Sequence, residues 1–165
     1  MRYLKTISLL FFIYSCGGSG SSNSTTEIDN SSNQNPNVII ESCSNTTRTG
    51  MQKCDLKHDS LDRYYFIYRP ANLNTDISVP VLFALHGYGS SALSHLTYTN
   101  YFSLADANNF IVIYPQGTTT DTLSSHWNVG GWTSKSTRKD IEFIDTVIDL
   151  IKDKIQIDQT RIYSS

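Results

Sequence analysis

The stretch VPVLFALHGYG, residues 79–89, decides the fold that this sequence predicts. Val79 to Leu85 form an almost continuous apolar run, with its proline at the second position, where a missing N–H does little harm to a strand. Such a run is typical of a strand that is covered on both faces, as in a parallel sheet. Glycines 87 and 89 let the chain turn at the carboxyl end of that strand, where open α/β sheets bind their ligands.

Strand and helix patterns alternate along the rest of the chain. We predict strands at Arg63–Arg69, at Phe110–Tyr114 and at residues 161–163, from their aromatic and β-branched residues. The second half of Ser91–Asn109 has helical spacing and ends in asparagines, which tolerate the left-handed backbone of a helix end. This order predicts an α/β fold with a mostly parallel sheet flanked by helices.

The clearest predicted helix runs from Asp140 to about Ile155. Its isoleucines fall three and four residues apart, at positions 141, 144, 148, 151 and 155, and therefore predict one buried face. Asp140 is placed to accept hydrogen bonds from the first free N–H groups of the helix.

The first 40 residues predict export rather than a folded core. Residues 1–15 combine two basic residues with an apolar run, as in a signal peptide, and Cys16 ends a lipobox-like tetrad. Cys16 is thus expected to carry a lipid that anchors the protein to the membrane, although a plain signal peptide with an incidental cysteine is the alternative. Residues 16–40 form a linker in which Gly, Ser, Thr and Asn dominate, a composition that does not build a core. Residues 41–165 remain as the part that folds, and export places them outside the cytoplasm.

The charge balance and the cysteines argue against nucleic-acid binding and against a metal site. The chain has 13 Lys and Arg against 15 Asp and Glu, with no basic stripe, so a nucleic-acid partner is not expected. In an oxidising compartment, Cys43 and Cys54 are expected to form a disulfide, with two free thiols as the competing interpretation. His58 alone adds too few ligands for a metal site, and no metal or cofactor is expected.

The turn Leu85-His86-Gly87-Tyr88-Gly89 is the sharpest chemical motif. At the end of a buried strand, its N–H groups can converge on one point, which in acyl transfer is the oxyanion of the tetrahedral intermediate. An ordinary strand-to-helix turn that needs glycine is the structural alternative.

Several segments together resemble the polyhydroxybutyrate depolymerase and feruloyl esterase family of α/β-hydrolases. The resemblance covers roughly residues 60 to 165 and rests on segments in the family's order: Arg63–Pro70, Val81–Ser90, Phe110–Gln116, Trp127-Asn128 and Asp140–Tyr163. It implies that the Tyr88 N–H belongs to the oxyanion hole, supported by His86, Gly87 and Gly89. It further implies a partial α/β-hydrolase fold, in which residues 41–165 are the amino-terminal part of the catalytic domain. The nucleophile of that domain, in a G-x-S-x-G elbow, is expected to follow the strand at 161–163.

No G-x-S-x-G occurs in the chain, so the whole triad is expected beyond Ser165. Ser164 and Ser165 lack the flanking glycines of an elbow. The four histidines all precede the expected nucleophile, so none is expected to be the triad base; His86 should orient its turn, His58 and His95 should be exposed, and His126 should lie in a loop or a substrate wall. Trp127 and Trp132 either fill the core or bind substrate.

The sequence therefore predicts a secreted, lipid-anchored serine carboxylic-ester hydrolase whose substrate is an ester polymer or a small ester. Polyhydroxyalkanoate and feruloyl esters are the expected substrates. A peptidase or an acetylxylan esterase keeps the fold and changes the scissile bond. A non-catalytic surface lipoprotein that binds polymer or glycan is the alternative from another class. The chain as written is expected to be inactive.

Overall fold

A computed structural model describes residues 39–120, 123–133 and 136–165. The predicted signal peptide, Cys16 and nearly all of the predicted linker lie outside these residues. The elements, in chain order, are β1 Glu41–Asn45, β2 Met51–His58, β3 Leu61–Tyr68, β4 Val79–Phe83, α1 Ala92–Thr99, α2 Phe102–Asn108, β5 Ile111–Pro115, β6 Thr118–Thr120, β7 Leu123–His126, a 3-10 turn Gly131–Thr133, α3 Asp140–Lys152 and β8 Ile157–Ser164. None of the described helices is long and apolar enough to cross a bilayer.

Six strands form one sheet in the order β1-β2-β3-β5-β4-β8. Strand β4 is parallel to both β5 and β8, whereas β1, β2, β3 and β5 pair antiparallel in succession. The α/β prediction is confirmed, but the expectation of a mostly parallel sheet is wrong for the described strands, because the sheet is mixed. The sequence did not predict β1 and β2, because their polar and charged residues hide the strand pattern. It also did not predict the small β6–β7 sheet.

Helices cover both faces of the sheet because its inner strands are apolar at every position. In β5, Ile111 and Ile113 pack towards α3, whereas Val112 and Tyr114 pack towards α1 and α2. All four side chains are fully buried. Burying such a side chain stabilises the fold by about 1.5–3 kcal/mol each, so this strand is a main source of core stability.

The region between β4 and β5 holds two helices. Ser91 caps α1 by accepting a hydrogen bond from the Ser94 N–H, and Asn100 ends α1 with a left-handed backbone. Asn109 ends α2 in the same conformation, as its position in the sequence predicts.

Helix α3 buries the face that its isoleucines predict except at Ile141, since Ile144, Ile148, Ile151 and Ile155 all pack in or against the core. Phe143, Val147 and Ile151 are the buried positions, whereas Ile141 is 72% exposed. Asp140 does not cap the helix, because Lys139 occupies that position and makes no side-chain capping bond. The Asp140 carboxylate instead enters the interior, where it takes part in the site described next.

Candidate active site

The carboxyl ends of β4, β5 and β8 meet at one edge of the sheet, and the turn at residues 86–89 lies on this edge. Gly89 has a φ of +75°, which favours glycine, and its N–H donates to Ser125 O at 2.8 Å. A Cβ placed on Gly87 or on Gly89 would meet no atom within 4 Å, so the turn is open to solvent. Within the described part of the chain, no acceptor binds the N–H of Tyr88. That N–H is therefore free to donate to a ligand.

His86 supports the turn from inside the protein. Its side chain is buried, and Nε2 accepts a hydrogen bond from the Gly117 N–H at 3.0 Å. Because Nε2 is an acceptor, Nδ1 carries the proton and donates to Gly87 O at 2.9 Å. Burial lowers the pKa of His86, with the Gly87 hydrogen bond and the Asp140 charge acting against it. A neutral imidazole therefore joins the turn to the end of β5.

Gln116 connects four elements at this edge. Its Oε1 accepts from the Tyr64 hydroxyl on β3 and from the Ala92 N–H of α1, both at 2.9 Å. Its Nε2 donates to Ser125 Oγ at 2.7 Å and lies 3.1 Å from His86 Nε2. All of its amide capacity is thus used to hold the turn in place.

A buried ion pair lies beneath Gln116. Arg63 Nη2 contacts Asp140 Oδ1 at 2.8 Å, and both side chains are nearly inaccessible to solvent. The same nitrogen donates to Gln116 O at 3.1 Å, and the other Asp140 oxygen accepts from the Asn128 N–H at 2.7 Å. Burial lowers the pKa of Arg63, while Asp140 raises it. Two strands, a loop and α3 are therefore tied together by one pair of charges.

Close approach explains the glycine at position 117. A Cβ there would come within 2.4 Å of His126 O and 3.1 Å of His86 Nε2. Sequence reasoning missed the roles of Gln116, Gly117, Arg63 and Asp140. One signal could have found them: each lies within an apolar strand or helix pattern or directly beside one.

The two tryptophans have different environments. Trp127 is half-buried, and its Nε1 donates to His86 O at 2.9 Å, so its indole braces the turn from within. Trp132 is 63% exposed, and its ring meets that of Tyr88 edge-on with centroids 5.0 Å apart. Tyr88 is itself 55% exposed. The Tyr88–Trp132 pair is the aromatic surface that the turn presents to solvent.

The other histidines differ from expectation. His58 and His95 are half-buried rather than exposed; their rings lie against Phe143 and Tyr114, at centroid distances of 5.8 and 6.2 Å. His126 is buried at the end of β7, so it is neither a loop residue nor part of an accessible wall. Ser164 and Ser165 lie at the end of β8 and are exposed.

The cysteines lie away from this edge. Cys43 and Cys54 are directly opposite each other on β1 and β2 and are joined by a disulfide. Glu41 comes close to both sulfurs, but sulfur atoms in a disulfide are not thiolate ligands. This cluster therefore offers no metal site in its oxidised form.

Two curated relatives align with part of the chain. A bifunctional acetylxylan esterase/xylanase, XynS20E, from Neocallimastix patriciarum is 32% identical over 99 residues, which are 60% of this chain and 13% of that protein. The hydrolase R843 of Acanthamoeba polyphaga mimivirus is 35% identical over 98 residues, 54% of this chain and 31% of that protein. The chain thus spans less than a third of either relative. No family model matches it.

Solved structures share the architecture. Native pOPH superposes with a TM-score of 0.53 at 16% identity, covering 72% of this chain and 43% of its own. An S-formylglutathione hydrolase from Agrobacterium tumefaciens gives 0.51 at 15% identity, covering 76% and 51%. The chain has a partial α/β-hydrolase fold. At these identities the structural likeness concerns the fold alone, whereas the sequence relatives are hydrolases by name.

Proposed function

We propose that the chain supplies the amino-terminal part of a serine carboxylic-ester hydrolase whose nucleophile follows Ser165. One observation carries this proposal: β8 ends beside the turn that presents the Tyr88 N–H. Leu85 N donates to Ser165 O at 2.9 Å, and Ser165 N donates to Phe83 O at 3.0 Å. Residues that continue from β8 therefore leave the sheet next to the turn, where a nucleophile needs its oxyanion donors.

The chemistry follows from this arrangement. A serine hydroxyl, activated by a base from the later part of the protein, adds to the ester carbonyl, and the carbonyl oxygen becomes negative. The Tyr88 N–H donates to that oxygen, the alcohol then leaves with a proton, and water releases the acyl group as a carboxylic acid. His86 holds the turn and takes no proton, because its Nε2 already accepts from Gly117.

The proposed substrates are extracellular esters of polyhydroxyalkanoate or of feruloylated plant wall. The Tyr88–Trp132 pair supports this choice, because exposed aromatic rings beside an oxyanion turn suit an aromatic acid or an apolar polymer. An acetylated xylan is the second candidate, favoured by the similarity to the acetylxylan esterase/xylanase. The same aromatic pair also suits the non-catalytic alternative, a lipoprotein that binds polymer or glycan.

A serine-directed probe distinguishes the ester hydrolase from the non-catalytic binding lipoprotein. The chain from Cys16 to Ser165 and a longer protein that continues beyond Ser165 are treated with a fluorophosphonate. Both are assayed with p-nitrophenyl butyrate, methyl ferulate and acetylated xylan. We expect labelling and turnover only in the longer protein, since the triad supplies nucleophile and base. Labelling of Ser164 or Ser165, with turnover abolished by its replacement with Ala, would show that the nucleophile is misplaced here. A full-length protein that binds polymer without labelling would favour the binding lipoprotein.

The oxyanion role of Tyr88 has its own test in the full-length protein. Tyr88→Pro removes the backbone N–H, whereas Tyr88→Ala keeps it and removes only the ring. We expect kcat to fall by about 10²–10³-fold in the proline variant. The alanine variant should lose much less kcat and show its effect mainly in KM. Equal losses of kcat in the two folded variants would contradict the assignment.

We also propose that residues 1–15 direct export and that Cys16 carries the lipid anchor, with residues 16–40 as the tether. The motif and the apolar run support this proposal. Incorporation of a fatty-acid analogue in a bacterial host is compared between the wild type and Cys16→Ser. Loss of the label in the variant is expected, and equal incorporation would exclude lipidation at Cys16.

A further inference from the structure

Trp132 is a large apolar side chain that the fold leaves largely in solvent. Its indole is 63% exposed, lies in a 3-10 turn and meets the ring of Tyr88, which is 55% exposed. A single exposed apolar residue needs no explanation. This pair differs, because Tyr88 also carries the N–H to which no acceptor in the described ranges binds. Two adjoining aromatic rings therefore lie beside a free donor.

The backbone around Trp132 is shaped and held so that it presents the indole. Gly130 and Gly131, directly before it, have φ values of +77° and +56°, a conformation that residues with a side chain rarely adopt. Directly after it, Thr133 is fully buried. The Thr133 Oγ1 accepts from the Val129 N–H at 3.0 Å and donates to Gly130 O at 2.7 Å. Because the turn is anchored without a ligand, binding there costs little loop entropy.

The rings of Tyr88 and Trp132 form a corner. Their planes cross at 80° with centroids 5.0 Å apart, so the faces of the two rings are adjoining walls. A flat aromatic group in that corner stacks on one ring and meets the other edge-on, which are the two arrangements that aromatic pairs prefer. An aliphatic chain or an acetyl group has no ring and gains only buried apolar area there. The corner therefore favours an aromatic ligand.

We propose that Trp132 determines substrate specificity, because its indole binds the aromatic ring of an ester whose carbonyl oxygen accepts from the Tyr88 N–H. This inference rests on the proposed ester-hydrolase function and narrows its substrate class to esters of aromatic acids. The ring and the N–H of Tyr88 belong to one residue, so a short spacer between carbonyl and ring spans the distance to the corner. Trp132 binds the substrate and takes no part in the chemical step.

Two methyl esters that differ only in the acyl group test this selectivity in the longer protein: methyl ferulate and methyl butyrate. We expect Trp132→Ala to lower kcat/KM for methyl ferulate at least about tenfold, through KM, and for methyl butyrate less than about twofold. Trp132→Phe keeps a ring and should restore most of the activity on methyl ferulate. The matched control is Tyr98→Ala, which removes a ring on α1 that is 87% exposed and should change neither ester by about twofold.

Equal losses for the two esters, or no loss for methyl ferulate, would overturn the proposal. Urea denaturation of the Trp132→Ala protein separates binding from folding. Its midpoint should stay close to that of the wild type, because most of the indole lies in solvent. A large drop would show that residues beyond Ser165 bury the indole as part of a core, and it would overturn the assignment as well.

Calorimetric titration with ferulamide, the amide of ferulic acid, tests the corner without turnover, and butyramide is the aliphatic control. We expect ferulamide to bind, butyramide not to bind, and Trp132→Ala to weaken ferulamide binding at least about tenfold. If the longer protein hydrolyses neither ester but binds ferulamide through Trp132, the hydrolase proposal fails and the aromatic corner stands. If ferulamide does not bind, the corner fails even where methyl butyrate is hydrolysed.

Discussion

The candidate active-site edge and the β1–β2 hairpin are stabilised in opposite ways. At the edge, buried polar groups bind one another: His86 to Gly117, Gln116 to Ser125, and Arg63 to Asp140. In the hairpin, polar side chains face water and the two strands are joined covalently by Cys43 and Cys54. The difference teaches that a buried polar edge depends on contacts among its own groups, whereas a hairpin with a solvated face can be held by a covalent cross-link.

Breaking the buried ion pair should have the largest effect. Asp140→Asn leaves the Arg63 guanidinium charged, buried and unpaired, which costs about 3–5 kcal/mol in free energy of unfolding. The matched control is Asp62→Asn, whose ion pair with Lys57 has an aspartate side chain that is 88% exposed. Loss of an exposed pair costs under about 1 kcal/mol. Urea denaturation measures both, and similar losses would mean that the edge is no more dependent on its polar contacts than the surface.

Removal of the disulfide should have the next largest effect. Cys43 and Cys54 are 11 residues apart, and a cross-link that closes such a loop stabilises by about 2–3 kcal/mol through the unfolded chain. The double variant Cys43→Ala/Cys54→Ala should lose this amount in urea denaturation, and reductant should destabilise only the wild type. If reduced and oxidised wild type unfold at the same urea concentration, the hairpin does not depend on its cross-link.

The smallest expected effect is the pH dependence of folding stability that His86 gives to the candidate edge. Because burial lowers the pKa of His86 in the folded state, the unfolded chain takes up the proton first as pH falls. The stability from neutral His86 is therefore present above its ordinary pKa and is lost as the pH falls below it towards the lowered value. Each proton contributes at most about 1.4 kcal/mol per pH unit.

His95 shifts in the same direction, also through burial, so the contributions of the two histidines must be separated. Direct NMR titration of the His86 ring in wild-type protein should give a pKa below the ordinary value. The variant His95→Gln should retain the His86 part of the pH dependence of stability. A His86 ring that titrates at its ordinary value would show that the edge is more hydrated than the structure implies.

Most of the central fold was predictable because strand and helix periods reflect burial on both faces. The runs at Val79–Leu85 and Phe110–Tyr114 predict β4 and β5 closely, and Asn109 ends α2 as its residue type suggests. The isoleucines of α3 predicted most of its buried face, but not its centre line. Phe143 and Val147 lie at its buried centre and Ile141 in solvent, because the sheet decides which side of a helix is covered.

The candidate site was predictable only in its turn. The glycines at 87 and 89 and their place after a strand predicted the turn at this edge, and its oxyanion role stays a prediction. Nothing in the sequence marks Gln116 as a site residue. Its amide holds the edge together only because Tyr64, Ala92 and Ser125 come close to it in the folded chain. The edge strand β1 and β2 were likewise hidden, since strands with one solvated face carry polar residues.

By itself, the sequence determined the class of fold, the position of the turn and the expectation of export, because these depend on local composition and period. Tertiary structure alone decided the antiparallel half of the sheet and the convergence of side chains at the candidate active-site edge. Arg63 and Asp140 are 77 residues apart in the chain, yet their charges meet in the interior. No local pattern encodes that meeting; it arises because β3 and α3 pack at one edge, where each charge is stable only beside the other.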